Sequence, residues 1–202
     1  YALSGNSNGD FNTAIGAYAL LSNSTGSYNT ANGNYALASN NGGSYNTAMG
    51  NHALISNQTG NYNTAIGDSA LKSNSTGSSN VAIGKDALFK NTNLNNLVAI
   101  GDSALYNNGS GNDNTAIGSK TLFGNTSGSN NTATGHQSLM NNETGDNNTA
   151  IGRNALLTNT SGSGNTAIGH NANVSTGALN NATAIGANAY VTTSNSLVLG
   201  SV

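Results

Sequence analysis

One pentad returns at a fixed interval along this chain, and no other feature restricts its fold as tightly. Asn12-Thr13-Ala14-Ile15-Gly16 is followed by Asn29-Thr30-Ala31-Asn32-Gly33 and Asn46-Thr47-Ala48-Met49-Gly50. The closing glycine recurs at 16, 33, 50, 67, 84, 101, 118, 135, 152, 169 and 186, each step being 17 residues. A period kept without insertions is a structural unit of fixed size. The second half of the unit repeats too, as Ala19-Leu20, Ala36-Leu37, Ala53-Leu54, Ala70-Leu71, Ala87-Leu88, Ala104-Leu105 and Ala155-Leu156. A polar turn follows, such as Ser22-Asn23-Ser24-Thr25-Gly26.

Seventeen residues are too few for a helical hairpin, and the apolar positions show no 3.6-residue period. They suit one coil of an all-β, parallel β-solenoid, with two strands of about five residues and two turns. Gly, Asn, Ser and Thr sit where the turns are needed. Coils stacked about 4.8 Å apart give roughly eleven windings and a length on the order of 50 Å. We assign residues 1–186 to the regular repeats. Residues 187–202 form a shorter coil, because Gly200 follows Gly186 by 14 residues. Residues 1–11 align in register with 18–28, so the first coil starts mid-repeat; we expect further repeats upstream or end-to-end stacking.

Composition removes several classes. Of 202 residues 40 are Asn and 27 are Gly, with no Pro, Cys or Trp. Charged residues make up 6% of the chain, against roughly 25% in ordinary domains, and the net charge is -2. A basic nucleic-acid footprint is absent. No Cys-based metal site or disulfide framework is available. The longest apolar run, Ala17-Tyr18-Ala19-Leu20-Leu21, is far too short to cross a bilayer, so no membrane insertion is expected of this segment.

Alternation assigns the two faces of the first strand. Thr shares a face with Ile15, Ile66, Ile83, Ile100, Ile117, Ile151, Ile168 and Ile185, and Val81 and Val98 replace Thr without its hydroxyl. We therefore place this face inward, with a core ladder of these isoleucines and Leu20, Leu37, Leu54, Leu71, Leu88 and Leu105. The opposite face carries Ala14, Ala31, Ala48, Ala65, Ala82, Ala99, Ala116, Ala133, Ala150, Ala167 and Ala184 without exception. A position that never drifts is one that something approaches closely, and we assign it to packing between subunits. Leu21, Ile55, Phe89, Tyr106, Phe123, Met140, Leu157, Val174 and Val191 add a further apolar column. So thin a coil must offset backbone ordering of about 1–2 kcal/mol per residue, so self-association in a closed homo-oligomer is expected.

The pentad resembles a known repeat. Asn-Thr-Ala-Ile-Gly, Asn80-Val81-Ala82-Ile83-Gly84 and Leu97-Val98-Ala99-Ile100-Gly101 are similar to the repeats of YadA-like head domains in trimeric autotransporter adhesins. Asn195-Ser196-Leu197-Val198-Leu199-Gly200, with its 14-residue spacing, resembles them as well. The longer unit resembles repeats of bacterial surface and viral tail-fibre proteins. The resemblance implies a left-handed parallel β-roll, an intertwined or side-by-side homotrimer, and an extracellular, cell-surface or secreted location. It implies a structural and adhesive role, as the head or shaft of a bacterial surface adhesin or filament; a phage or virus tail-fibre shaft is the alternative. The partners it implies are copies of the chain itself and a host surface, extracellular matrix or glycans.

Residues that carry chemistry elsewhere occupy variable slots here. His136 and His170 follow the strand-ending Gly, in a slot filled elsewhere by Ala17, Asn34, Asn51, Asp68, Lys85 or Arg153, and His52 sits one place later. We read them as polar turn residues. Asp10, Asp68, Asp86, Asp102, Asp113, Glu143 and Asp146 form no regular pair and lack the glycine-aspartate repeat of calcium-binding rolls. No catalytic constellation or phosphate loop can be argued, so no enzymatic activity and no cofactor are expected.

Tyr1, Tyr18 and Tyr35, and Phe11, Tyr28, Tyr45 and Tyr62, form aromatic columns that read as stacked rings, with a sugar-binding stripe as the lesser reading. Asn12, Asn29, Asn46, Asn63 and Asn80 suit an amide ladder. Glycosylation sequons fall at Asn23, Asn57, Asn74, Asn125, Asn142 and Asn159, and at Asn108, Asn173 and Asn181. An ice-binding face of Thr columns is kept as a minor alternative, since the shared face with Ile argues against it.

Overall fold

The computed structural model describes residues 1–200; the last two residues of the 187–202 segment lie outside it. Every described element is a strand or a turn, and the fold is a parallel β-solenoid of about eleven coils of 17 residues. The chain divides into two units, residues 1–102 and 103–202.

In the first unit six strands stack in parallel: β1 (Thr13–Ile15), β2 (Thr30–Asn32), β3 (Thr47–Met49), β4 (Thr64–Ile66), β5 (Val81–Ile83) and β6 (Val98–Ile100). Each residue pairs with its counterpart one coil on, as Thr13 with Thr30 and Ala14 with Ala31. The second unit repeats the pattern with β7 (Thr115–Ile117), β8 (Thr132–Thr134), β9 (Thr149–Ile151), β10 (Thr166–Ile168), β12 (Thr183–Ile185) and β14 (Leu197–Leu199). There β12 pairs with β14 through Thr183 and Leu197, which closes the 14-residue coil. The glycine after each strand leaves the sheet at positive φ, 133° at Gly50, and a Cβ there would lie 2.5 Å from the carbonyl oxygen of Gly67. Only glycine satisfies both conditions.

Among the described residues the expected second strand forms in only two places, and most coils lack it. The Ala-Leu segment is a turn in which alternate residues take positive φ, as Tyr35 (53°) and Leu37 (53°) do. Its amides are nonetheless stitched to both neighbouring coils. The Tyr35 N–H donates to the Ala17 carbonyl at 2.9 Å, while the Leu37 N–H donates to the Ala53 carbonyl at 2.9 Å. A left-handed conformation costs a non-glycine residue about 1–2 kcal/mol. Complete burial of a leucine returns roughly 1.5–3 kcal/mol, which offsets it. Only where the leucine is lost does a second strand form, as β11 (Asn173–Val174) and β13 (Tyr190–Val191). There the inward position moves one residue along, onto Val174 and Val191.

The interior reverses the inward assignment made from the sequence. Leu20, Leu37, Leu54, Leu71, Leu88 and Leu105 are fully buried. The isoleucines are not. Ile15 (60% exposed), Ile117, Ile151 (43%), Ile168 and Ile185 face solvent, and Ile66, Ile83 and Ile100 are half-buried. The alanine column lies inside its own chain instead of between subunits. Ala31, Ala48, Ala65, Ala82, Ala99, Ala116, Ala133, Ala150, Ala167 and Ala184 are buried, and Ala14 is half-buried. The reason is size. A coil of 17 residues encloses so narrow a space that a methyl group is what fits beneath the strand, which turns Thr and Ile outward.

Candidate functional site

The interior of each coil is half amide. In the second coil Ala31, Ala36 and Leu37 share it with Asn29 and Asn40, all fully buried. One asparagine column precedes the strands and runs Asn12, Asn29, Asn46, Asn63 and Asn80 in the first unit. The Asn46 backbone N–H donates to Asn29 Oδ1 at 3.0 Å, and Asn46 Nδ2 donates to the Gly60 carbonyl at 2.9 Å. The second unit repeats this from Asn114 through Asn131 and Asn148 to Asn165. The amide-to-amide ladder expected from the sequence forms in part, with Asn46 Nδ2 donating to Asn29 Oδ1 at 3.1 Å and Asn63 Nδ2 to Asn46 Oδ1 at 3.2 Å, while a backbone N–H to Oδ1 bond joins every step from Asn12 to Asn80.

The second column, which the sequence marks only as turn residues and sequons, is buried as well. Asn40 Nδ2 donates to Asn23 Oδ1 (2.6 Å) and to the Gly43 carbonyl (2.8 Å). Asn57 Nδ2 in turn donates to Asn40 Oδ1 at 2.8 Å. The Gly43 carbonyl also receives Asn29 Nδ2 at 2.9 Å, so one oxygen is held by two buried amides. Asn23, Asn57, Asn74, Asn125, Asn142 and Asn159 are all fully buried with Nδ2 committed in this way. A glycan on any of them is incompatible with the fold. Asn181, in contrast, is exposed. The signal for burial was present: Asn occupies this slot in ten consecutive coils from Asn6 to Asn159 while its neighbours vary.

The surface carries three features. The first is the outer strand face, with mostly Thr or Val in one column and mostly Ile in the next, interrupted by Asn32 and Met49 in the first unit and by Thr134 in the second, in register along each unit. The second is the pair of aromatic columns. Tyr18 and Tyr35 stack with ring centroids 4.7 Å apart, and His52 continues that column at 5.6 Å from Tyr35. Phe11, Tyr28, Tyr45 and Tyr62 stack at 4.9, 4.8 and 5.0 Å. Each inner ring has both faces covered by its neighbours, which leaves only edges to a sugar and removes the platform such binding needs. The third is a half-buried apolar column in each unit: Leu21, Ile55 and Phe89 in the first, where Lys72 in the same slot lies over the Phe89 ring, and Tyr106, Phe123, Met140 and Leu157 in the second, with Tyr106 stacked on Phe123 at 5.3 Å.

His136 and His170 are exposed on separate coils, and His52 is half-buried within its stack. Among the described residues no group of three or more His, Cys, Asp or Glu side chains converges. Asp68 accepts the Asn51 amide at 2.7 Å, and Asp146 accepts the Ser129 backbone N–H at 2.7 Å. Asp86 lies 3.9 Å from Lys85. These acids tie one coil to the next or to a neighbouring side chain. No protein-family model matches the chain, and neither does any curated protein.

Proposed function

We propose that this chain is a structural and adhesive module of an extracellular fibre, a head or shaft segment of a bacterial surface adhesin or filament, working as a homotrimer. The observation that carries the reading is the outward isoleucine column. The coils fill their interiors with Ala, Leu and Asn, yet most of them turn an Ile or Met outward in one register on the strand face, the column being interrupted only at Asn32 and Thr134. Two partner copies laid along that face would cover it, and a cyclic trimer leaves no copy of the face unpaired. The YadA-like character of the pentad supports the same arrangement and a left-handed roll. The contact therefore falls to Thr and Ile, with the alanines left to the interior. Light scattering coupled to size exclusion tests it: a mass of three chains is expected, falling to one chain in an Ile151→Ser/Ile168→Ser variant. A monomeric parent chain overturns the reading.

One observation favours a second reading. The Thr column faces outward, and Thr132 is among its exposed members. Hydroxyls and methyls repeated at the coil spacing on a strand face suit an ice surface. Thermal hysteresis by a monomeric chain would favour this reading over the trimer.

A further inference from the structure

Tyr28, Tyr45 and Tyr62 occupy one slot in three successive coils. Their backbones share nearly one φ, at 59°, 59° and 57°, so the three side chains leave the coil in the same direction. The rings of Tyr28 and Tyr45 lie 4.8 Å apart and 6° from parallel; those of Tyr45 and Tyr62 lie 5.0 Å apart and 9° from parallel. All three are exposed. The column is bounded by Phe11 on one side and by Ser79, in the same slot of the next coil, on the other. Three exposed phenols are thus held one coil apart by the backbone.

We propose that this column is an oxidative cross-linking site at which neighbouring tyrosines couple to dityrosine, a covalent staple between successive coils. The co-reactant is hydrogen peroxide acting through a haem peroxidase. Each of two phenols gives up one electron and its hydroxyl proton, leaving phenoxyl radicals with spin density on oxygen and on the ring carbons beside it. The two radicals pair to form one Cε–Cε bond. Each Cε then loses its hydrogen as a proton while a proton returns to each phenolate oxygen, restoring both phenols. The two electrons and two protons removed reduce one peroxide to two waters, so the chain loses two hydrogen atoms per staple. Coupling is favoured because the partners are already adjacent, which makes a bimolecular encounter effectively unimolecular. The coil repeat supplies the approach, and exposure leaves each ring room to swivel edge to edge.

Tyr45 is the shared member, so its replacement separates Tyr28 from Tyr62 by two coils. Phe11 already stacks on Tyr28, which shows that the slot accepts a ring without a hydroxyl. The test uses the whole chain with Tyr1, Tyr18 and Tyr35 replaced by Phe, which leaves this column as the sole tyrosine stack. Dilute protein is treated with peroxidase and peroxide, then separated on a denaturing gel and analysed by fragmentation mass spectrometry. The expected result is a single-chain band with dityrosine fluorescence, a loss of two hydrogens, and a link placed at Tyr28–Tyr45 or Tyr45–Tyr62. The further change Tyr45→Phe is expected to abolish that product with the melting curve unchanged. Absence of the link, links only between chains, or equal yield after Tyr45→Phe would each overturn the proposal. If the Tyr-to-Phe background melts early, the same mass analysis on the unaltered chain decides by whether these two links appear.

Discussion

Asn40 and Asn23 are joined through their side chains, Nδ2 of Asn40 donating to Oδ1 of Asn23 across 2.6 Å between successive coils. The bond is fully buried, and it repeats at Asn57, Asn74 and Asn91 in the first unit and at Asn125, Asn142 and Asn159 in the second. Amide columns fill part of the interior, and their energetics follow those of buried hydrogen bonds.

Asn57→Ala removes the bonds to Asn40 Oδ1 and the Gly60 carbonyl and the acceptor used by Asn74 Nδ2. Each buried group left unsatisfied costs about 1–3 kcal/mol, so a loss of about 2–5 kcal/mol is expected. Asn41→Ala, at an exposed position, should stay within about 0.5 kcal/mol. Denaturant midpoints of the two variants check the contrast; equal midpoints would contradict it.

Production in a eukaryotic secretory pathway separates buried from exposed sequons. The folded fraction should carry no glycan at Asn23, Asn57, Asn74, Asn125, Asn142 or Asn159, because both Nδ2 hydrogens are used in the interior. Asn181 is open to modification. Glycopeptide mapping of protease-resistant material reads this directly, and a glycan at Asn57 in that fraction would be inconsistent with the fold.

The strand faces should respond oppositely to a change of size. Ala133→Val adds bulk beneath β8 and is expected to cost about 1–3 kcal/mol. Ile168→Ser alters an exposed side chain and should shift monomer stability by no more than about 0.5 kcal/mol. Unfolding curves recorded at a concentration where the chain is monomeric distinguish the two. A larger loss at Ile168 than at Ala133 would place the interior on the wrong face.

Lys120 sits at φ 55° in an exposed turn. Asparagine tolerates this conformation better than lysine, so Lys120→Asn should stabilise the chain by roughly 0.5–1 kcal/mol. Lys120→Val, β-branched, should destabilise it. Paired thermal melts give the order of the three, and any other order counts against the assigned backbone.

Much of the fold was legible in the repeat. The strand positions, their parallel register and the need for glycine at 16, 33 and 50 all followed from the fixed spacing, and the leucine column is buried as expected. Which strand face points inward did not follow. Alternation defines two faces without naming the inner one, and the habit of placing the larger apolar residue inside chose Ile83 over Ala82. Coil width decides the other way. The turn at Leu37 was missed for a different reason, since leucine carries no local preference for positive φ and takes it only because burial outweighs the cost. Where propensity does operate it was visible: the positive-φ slot two residues before the leucine, held by Tyr35 ahead of Leu37, is filled by Asn154, Asn171 and Asn188 in the later coils.

The double hold on the Gly43 carbonyl has a consequence for how such a chain lengthens. Its two donors, Asn29 and Asn40, lie 14 and 3 residues away, offsets that recur around Gly60 and Gly128. Duplication of a whole unit in the gene recreates every partner at its proper distance, whereas a codon inserted between Asn40 and Gly43 alters both offsets at once. Copy number is therefore free to drift under recombination while the unit itself resists change, and natural variants should differ in size by whole multiples of the repeat.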